Sequence, residues 1–102
     1  MDGAENSLLV ADIGGTNARF SLARVRADGI CVAPPSIYRT ADYPGLEAAL
    51  THFLDKAGHP ALAGAAVCAA GPVEGKGNAA HIAMTNCPWD VTAETLARVS
   101  GV

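Results

Sequence analysis

The feature that most constrains the fold is a short apolar run that ends on an acidic residue and passes at once into two glycines. The run Leu8 to Ala11 predicts a buried strand, Asp12 stands at its end, and Gly14-Gly15 predicts a tight turn. A second run, Ala18 to Val25, begins too soon after the turn for a helix to intervene. The stretch therefore predicts two antiparallel strands joined by a glycine turn.

The residues of this turn suit an anion-binding site. Gly14 and Gly15 carry no Cβ, so successive backbone N–H groups can face an anion at close range. Thr16 and Asn17 add side-chain donors beside those amides. Asp12 would repel a bare phosphate, so its presence favours a magnesium ion, or the waters of that ion, between the carboxylate and the phosphate. The residues alone equally allow a structural interpretation, in which Asp12 caps the turn and the glycines only permit a tight hairpin.

Length, composition and charge narrow the classes of function. With 102 residues, half of them apolar, the chain is one domain or part of one. A net charge of −3 and the lack of a basic stripe argue against nucleic acid as a partner. No apolar stretch is long enough to cross a bilayer, so we expect no membrane association. The three cysteines form no Cys-x-x-Cys pair, which predicts free thiols and no zinc site.

The middle of the chain predicts a strand, a helix and a further strand. Ile30 to Thr40 is the third strand, and its two consecutive prolines place it at a sheet edge. Helical spacing of apolar residues predicts a helix over 44–57, with Asp42 or Tyr43 as its N-cap. The uninterrupted apolar stretch Ala63 to Ala70 predicts a central parallel strand that is covered on both faces, with Cys68 in the core.

The last third of the chain predicts a loop, a strand and a helix. Gly71 to Asn78 is a glycine-rich loop without the spacing of a Walker phosphate loop. Alternation over Ala80 to Met84 predicts a short strand. A helix follows from Thr92, its N-cap, and Gly101 is its C-terminal stop.

Four segments resemble one family. Asp12-Ile-Gly-Gly-Thr-Asn-Ala-Arg19 resembles the first phosphate motif of the bacterial glucokinases, which belong to the actin-like (ribonuclease H-like) ATPase superfamily. Asp42 to Glu47, Ala69 to Val73 and Ala83 to Trp89 fall in the order and approximate spacing of that family's amino-terminal domain. The resemblance covers nearly the whole chain, although a glucokinase is considerably longer. It implies an α/β actin-like domain over residues 1–102, with a mixed sheet of βββαβα order, helices packed on it, no last strand and no carboxy-terminal domain.

The resemblance also implies a reaction, the transfer of the γ-phosphoryl group of ATP to the 6-hydroxyl of glucose with Mg²⁺, in the cytoplasm. The implied ATP-binding residues are Ala11, Asp12, Ile13, Gly14, Gly15, Thr16 and Asn17. Asp12 is also the candidate for contact with Mg²⁺ through water. The base and most sugar contacts of the family lie beyond Val102, so we expect no catalytic residue in this chain and no turnover by it alone.

Two alternatives stay open. The chain could belong to another hexose or amino-sugar kinase of the same fold, since the residues that select the sugar are not in it. It could instead be a non-catalytic binding or regulatory module with an actin-like fold. A homo-oligomer is also left open, because a sheet that lacks its last strand would have an unpaired edge.

Overall fold

The structure, a computed structural model, describes residues 6–69, 71, 73–84 and 89–102. These residues form eight strands and two α-helices, together with the one-turn 3-10 helices Thr40–Asp42 and Gly77–Ala79. The elements are, in chain order, β1 (Asn6–Ile13), β2 (Asn17–Arg26), β3 (Gly29–Val32), β4 (Ser36–Arg39), α1 (Leu46–Ala57), β5 (Gly64–Ala69), β6 (Val73–Glu74), β7 (His81–Ala83), β8 (Asp90–Thr92) and α2 (Ala93–Ser100).

The main sheet has the mixed pairing that the sequence predicts. Its strand order is β3-β2-β1-β5, and β4 pairs with the other half of β2. The predicted hairpin is confirmed, since β1 and β2 pair antiparallel along their lengths, up to Ile13 opposite Ala18 beside the turn. β5 runs parallel to β1. The sheet therefore has β1 at its centre, with the glycine turn at one end of that strand.

The predicted third strand is split in two. β3 and β4 both pair antiparallel with β2, and the residues between them, Ala33-Pro34-Pro35, lie outside either strand. Proline has no N–H to donate to a ladder, which accounts for the interruption. The edge position of this segment is confirmed.

One face of the main sheet carries the core. Leu9, Ala11 and Ile13 of β1 lie on the same face as Ala18 and Phe20 of β2, and all five are buried. α1 packs on this face through the residues that its helical spacing predicts. Its buried residues are Leu46, Ala49, Leu50, Phe53 and Leu54. The centroids of the Phe20 and Phe53 rings are 5.6 Å apart, so aromatic packing joins the hairpin to the helix.

The prediction for β5 is half wrong. The strand is parallel to β1, as expected, but among the described residues it is an edge strand, and Ala65, Ala66 and Cys68 are exposed. Cys68 is therefore a free surface thiol in the structure and not a core residue. A run of small apolar residues is typical of a covered strand, but it carries no information about which element provides the cover.

The start of α1 differs from the prediction. Its N-cap is Gly45, which has no side chain to form a capping bond, and residues 40–42 form a 3-10 turn before the helix begins. The predicted cap residues, Asp42 and Tyr43, therefore lie three and two residues before the observed cap. The predicted stop is confirmed, since Gly58 is left-handed with a φ of 85°.

The second sheet is antiparallel, with the order β6-β7-β8, and the sequence pattern shows only part of it. β7 confirms the predicted strand near Ile82, but β6 falls within the predicted loop and β8 has no predicted counterpart. Strands of two or three residues are too short for a periodic pattern. The predicted helix after β8 is confirmed as α2, because the Thr92 Oγ1 accepts the Thr95 N–H at 3.0 Å and Gly101 is left-handed.

An exposed ion pair joins the two helices. Arg98 of α2 donates two hydrogen bonds of 3.0 Å to the carboxylate oxygens of Glu47 on α1. These bonds and the guanidinium charge lower the pKa of Glu47 below its ordinary value of 4.5. The pair is a bidentate contact across the outside of the helix layer.

Truncation of Phe20 tests the core. Phe20→Ala removes a fully buried ring and should lower the free energy of unfolding by about 3–5 kcal/mol. Urea unfolding followed by the fluorescence of Trp89, the single tryptophan, measures this loss. Ile30→Ala is the control, since Ile30 is 69% exposed and its truncation should leave the unfolding midpoint nearly unchanged. Equal losses in the two variants would contradict the assignment of the core.

The Glu47–Arg98 pair predicts a pH effect. Because the pKa of Glu47 is lower in the folded chain, its contribution to stability is complete above the ordinary value of 4.5 and is lost as the pH falls through the lowered pKa. An NMR titration of the Glu47 carboxyl should give a midpoint below the ordinary value, and Arg98→Gln should raise that midpoint. Lys56→Gln is the matched control and should leave it in place, whereas equal midpoints in all three chains would show that the pair does not form.

Candidate functional site

The glycine turn is closed by one backbone hydrogen bond and held by a distant threonine. The Gly14 N–H donates to the Asn17 carbonyl oxygen at 2.8 Å. The Thr40 Oγ1 lies 2.7 Å from the Gly15 carbonyl oxygen and 3.2 Å from that of Thr16, and the Thr40 N–H donates to the Thr16 oxygen at 2.9 Å. The turn is therefore tied to the end of β4 as well as to its own strands.

The structure brings the predicted ATP-binding residues together on one hairpin, but in different environments. Ala11 and Ile13 are buried in the core, so their side chains face away from any ligand at the turn. Asp12 and Thr16 are exposed. The remaining three, Gly14, Gly15 and Asn17, are half-buried. Contact with ATP stays a prediction for all seven residues. A ligand could reach the exposed and half-buried residues, which are Asp12, Gly14, Gly15, Thr16 and Asn17.

Free amides lie at the tip of the turn. Within the described part of the chain, the N–H groups of Gly15 and Thr16 make no hydrogen bond to another backbone group, whereas that of Gly14 is used to close the turn. The two glycines predict that successive amides of the turn can face an anion. The structure leaves two of them for that purpose.

Gly14 is not demanded by the conformation of the hairpin. Its φ lies outside the left-handed region, and a Cβ built on it would meet only the Asn17 carbonyl oxygen, at 3.4 Å, which is ordinary van der Waals contact. Gly75 is a contrasting case, since its φ is 79° and a Cβ there would lie 2.3 Å from the Ala79 oxygen. A glycine that the fold requires has either a left-handed φ or no room for a Cβ. Among the described neighbours, neither condition holds for Gly14.

Asp12 lies on the face of the sheet opposite the core. It stands opposite Arg19 of β2 and beside Cys68 of β5, and all three are exposed. The register of β2 and β4 places Arg39 opposite Asn17 on this same face. Two arginines thus flank the turn on the side where Asp12 stands, which lowers the cost of bringing a polyphosphate near a carboxylate.

The metal candidate is a single carboxylate. Among the described residues, no group of three or more His, Cys, Asp or Glu side chains is placed to hold a metal ion. This does not conflict with the predicted role of Asp12, because Mg²⁺ is commonly held by one or two carboxylates, by substrate phosphates and by water, without an all-protein cage. The residues present therefore fit a magnesium ion that arrives with a nucleotide.

Trp89 and the histidines have structural partners. Trp89 is 2% exposed, and its Nε1 donates to the Tyr43 carbonyl oxygen at 3.2 Å, so it anchors the start of α1. The His52 Nδ1 lies 2.9 Å from the Tyr43 hydroxyl on the protein surface. The His59 Nε2 contacts the Asp55 carboxylate, and the His81 Nε2 lies 3.4 Å from the Glu74 carboxylate.

Several residues that the resemblance uses lie outside the described residues. They are Ala70, Pro72 and the segment 85–88, which includes Cys87. No helix in the described part of the chain has the length and apolarity to cross a membrane.

Thr40 is the residue that sequence reasoning missed. No motif includes it, and its link to the turn spans 24 or 25 residues of chain.

Comparison with known proteins identifies similar sequences and a similar fold. The family model described as Glucokinase matches residues 9–102. The glucokinase of Caulobacter vibrioides is 39% identical over 95 residues, which is 91% of this chain. That of Zymomonas mobilis is 36% identical over 90 residues, or 87% of this chain. The crystal structure of a glucokinase from an Antarctic psychrotroph superposes with a TM-score of 0.74 at 29% identity, covering 94% of this chain.

These matches cover a limited part of each similar protein. The chain spans 27% of the length of the Caulobacter relative, 26% of the Zymomonas relative and 30% of the solved chain. The structural match confirms the predicted fold class, an α/β domain with a mixed sheet of the actin-like ATPase type.

Proposed function

Because this chain belongs to the glucokinase family, whose model matches residues 9–102, we propose that it supplies the ATP-phosphate turn of a glucokinase. The reaction of the whole protein would be ATP and D-glucose to ADP and glucose 6-phosphate, in the cytoplasm. Residues 1–102 would form the amino-terminal, phosphate-binding part of the enzyme. The base that accepts the hydroxyl proton and most contacts with glucose would come from polypeptide beyond these residues.

The observation that carries this proposal is the state of the glycine turn. The Gly15 and Thr16 amides have no backbone acceptor within the described part of the chain, and Gly14 lacks a Cβ where the fold itself would accept one. Close approach of a ligand to the backbone explains both facts, since an anion accepts the free N–H groups and occupies the space that a Cβ would take. A purely structural turn would not require a glycine at position 14, because the fold would accept a Cβ there.

The residues around the turn have distinct roles in the proposed reaction. The amides of Gly15 and Thr16 would bind phosphate oxygens, and the Thr16 hydroxyl is exposed beside them. Asp12 would hold a water of the Mg²⁺ that accompanies ATP, and this ion would neutralise charge that develops on the transferred phosphoryl group. Arg19 and Arg39 would add positive charge on the same side of the sheet.

Alanine substitution of two glycines tests the phosphate role. Gly14→Ala should leave the free energy of unfolding within about 0.5 kcal/mol, because its Cβ meets only ordinary contact. It should weaken binding of Mg-ATP to the chain at least tenfold, or about 1.4 kcal/mol, as measured by NMR shifts of the Gly15 and Thr16 amides. Gly75→Ala is the converse control, with an expected loss of stability and no direct effect on these amides. Unchanged Mg-ATP binding by folded Gly14→Ala would remove the main support for the site.

A chimaera tests the reaction itself. Residues 1–102 replace the matched segment of the Caulobacter vibrioides glucokinase, and glucose-dependent formation of ADP is measured. We expect turnover with glucose, little without sugar, and a large loss of kcat in the Asp12→Ala form. A folded chimaera of normal size that turns over another hexose but not glucose would favour a different sugar kinase. A folded chimaera without any turnover would favour the non-catalytic module.

A further inference from the structure

Thr40 is a buried polar residue whose hydroxyl and N–H both donate to the glycine turn. The residue is 5% exposed, although it lies at the junction between β4 and the 3-10 turn that leads to α1. Its hydroxyl reaches the Gly15 and Thr16 carbonyl oxygens at 2.7 Å and 3.2 Å, and its N–H reaches the Thr16 oxygen at 2.9 Å. Both donors of Thr40 therefore act on two adjacent peptide groups of the turn.

The orientation of those peptide groups decides where their amides point. In a trans peptide the C=O and the N–H point in opposite directions. The Gly15 carbonyl belongs to the same peptide group as the Thr16 N–H, and it is held toward Thr40. The Thr16 N–H must therefore point away from Thr40. The same reasoning directs the Asn17 N–H away from Thr40, because the Thr16 carbonyl is also held there.

Strand pairing alone does not require this arrangement. The ladder between β2 and β4 ends at Asn17 opposite Arg39, and the Thr40 N–H extends it by one bond to Thr16. The bond from the hydroxyl to the Gly15 oxygen lies beyond the ladder, inside the turn. It fixes the orientation of the peptide group between Gly15 and Thr16, at a cost in conformational entropy.

Thr40 is itself held from the opposite side. Its carbonyl oxygen accepts the Tyr43 N–H at 3.4 Å, and the Tyr43 carbonyl oxygen accepts the indole N–H of Trp89 at 3.2 Å. Trp89 is anchored in the core. A series of hydrogen bonds thus connects a buried tryptophan to the tip of the turn, and it provides the rigid support that a preorganised binding group needs.

We propose that Thr40 is a positioning residue for phosphate binding, whose bonds to the Gly15 and Thr16 carbonyl oxygens orient the amides of Thr16 and Asn17 and so aim the Thr16 amide at the phosphates of ATP. The inference rests on the proposed function, since it assigns a role within the same site. Thr40 does not touch the nucleotide. It acts by setting the orientation of the Thr16 amide before the ligand arrives, so that binding does not have to order that peptide.

The test compares Thr40→Val and Thr40→Ser in the 102-residue chain. Valine keeps the shape of threonine but removes the hydroxyl donor, whereas serine keeps the donor. Thr51→Val on the exposed surface of α1 is the matched control. Mg-ATP is titrated into each chain, with the shift of the Thr16 amide as the binding signal and urea unfolding as the measure of stability. In the ligand-free chains, ¹⁵N relaxation reports the order of the Thr16 peptide.

We expect Thr40→Val to weaken Mg-ATP binding about tenfold, the equivalent of one hydrogen bond, and to disorder the Thr16 peptide without ligand. Thr40→Ser should bind Mg-ATP and order the Thr16 peptide as the unmodified chain does, and Thr51→Val should change neither property.

If the unmodified chain binds Mg-ATP and Thr40→Val binds it equally well, Thr40 is only structural and the inference is wrong, while the proposed function stands. If the unmodified chain shows no shift at the turn with Mg-ATP, the proposed function fails first. An ordered Thr16 peptide in Thr40→Val would overturn the inference without reference to any ligand.

Discussion

The antiparallel pairing of β1 with β2 is the interaction on which the rest of the structure depends. It runs from Asn6 opposite Val25 to Ile13 opposite Ala18, and it places the glycine turn at the end of the central strand. β5 adds to the free edge of β1, and β3 and β4 add to β2. Every element of the main sheet is thus positioned by one of these two strands, and so are the residues of the candidate site.

The two faces of this sheet differ in burial and charge. One face buries Leu9, Phe20 and their neighbours beneath α1, and this burial provides the hydrophobic stabilisation of the domain. Asp12 and Arg19 lie on the other face, and both are exposed. The alternation of side chains along a strand therefore separates the core from the charged groups within the motif itself, since Ala11 and Ile13 point inward while Asp12 points outward.

The connection between β4 and α1 carries the turn's support. It is short and irregular, but a series of hydrogen bonds links it to the turn. The Trp89 indole N–H donates to the Tyr43 carbonyl oxygen, the Tyr43 N–H donates to the Thr40 carbonyl oxygen, and the Thr40 hydroxyl donates to the turn. This segment also leads into α1, so these bonds connect the start of the helix to the carbonyl groups of the turn. A change to the start of α1 is therefore expected to reach the candidate site, although the two are far apart in sequence.

The sequence by itself determined the parts of this protein whose signals are local. Periodicity and turn residues located the hairpin, the buried face of α1 and the caps of α2, and the motif from Asp12 to Arg19 indicated the family. The tertiary structure decided what depends on distant partners. It exposed Cys68 on an edge strand, formed the short strands β6 and β8, and brought Thr40 to the turn. The reason is physical: a run of residues encodes its own period and turns, whereas cover for a strand and a hydrogen bond across 25 residues exist only after the chain has folded.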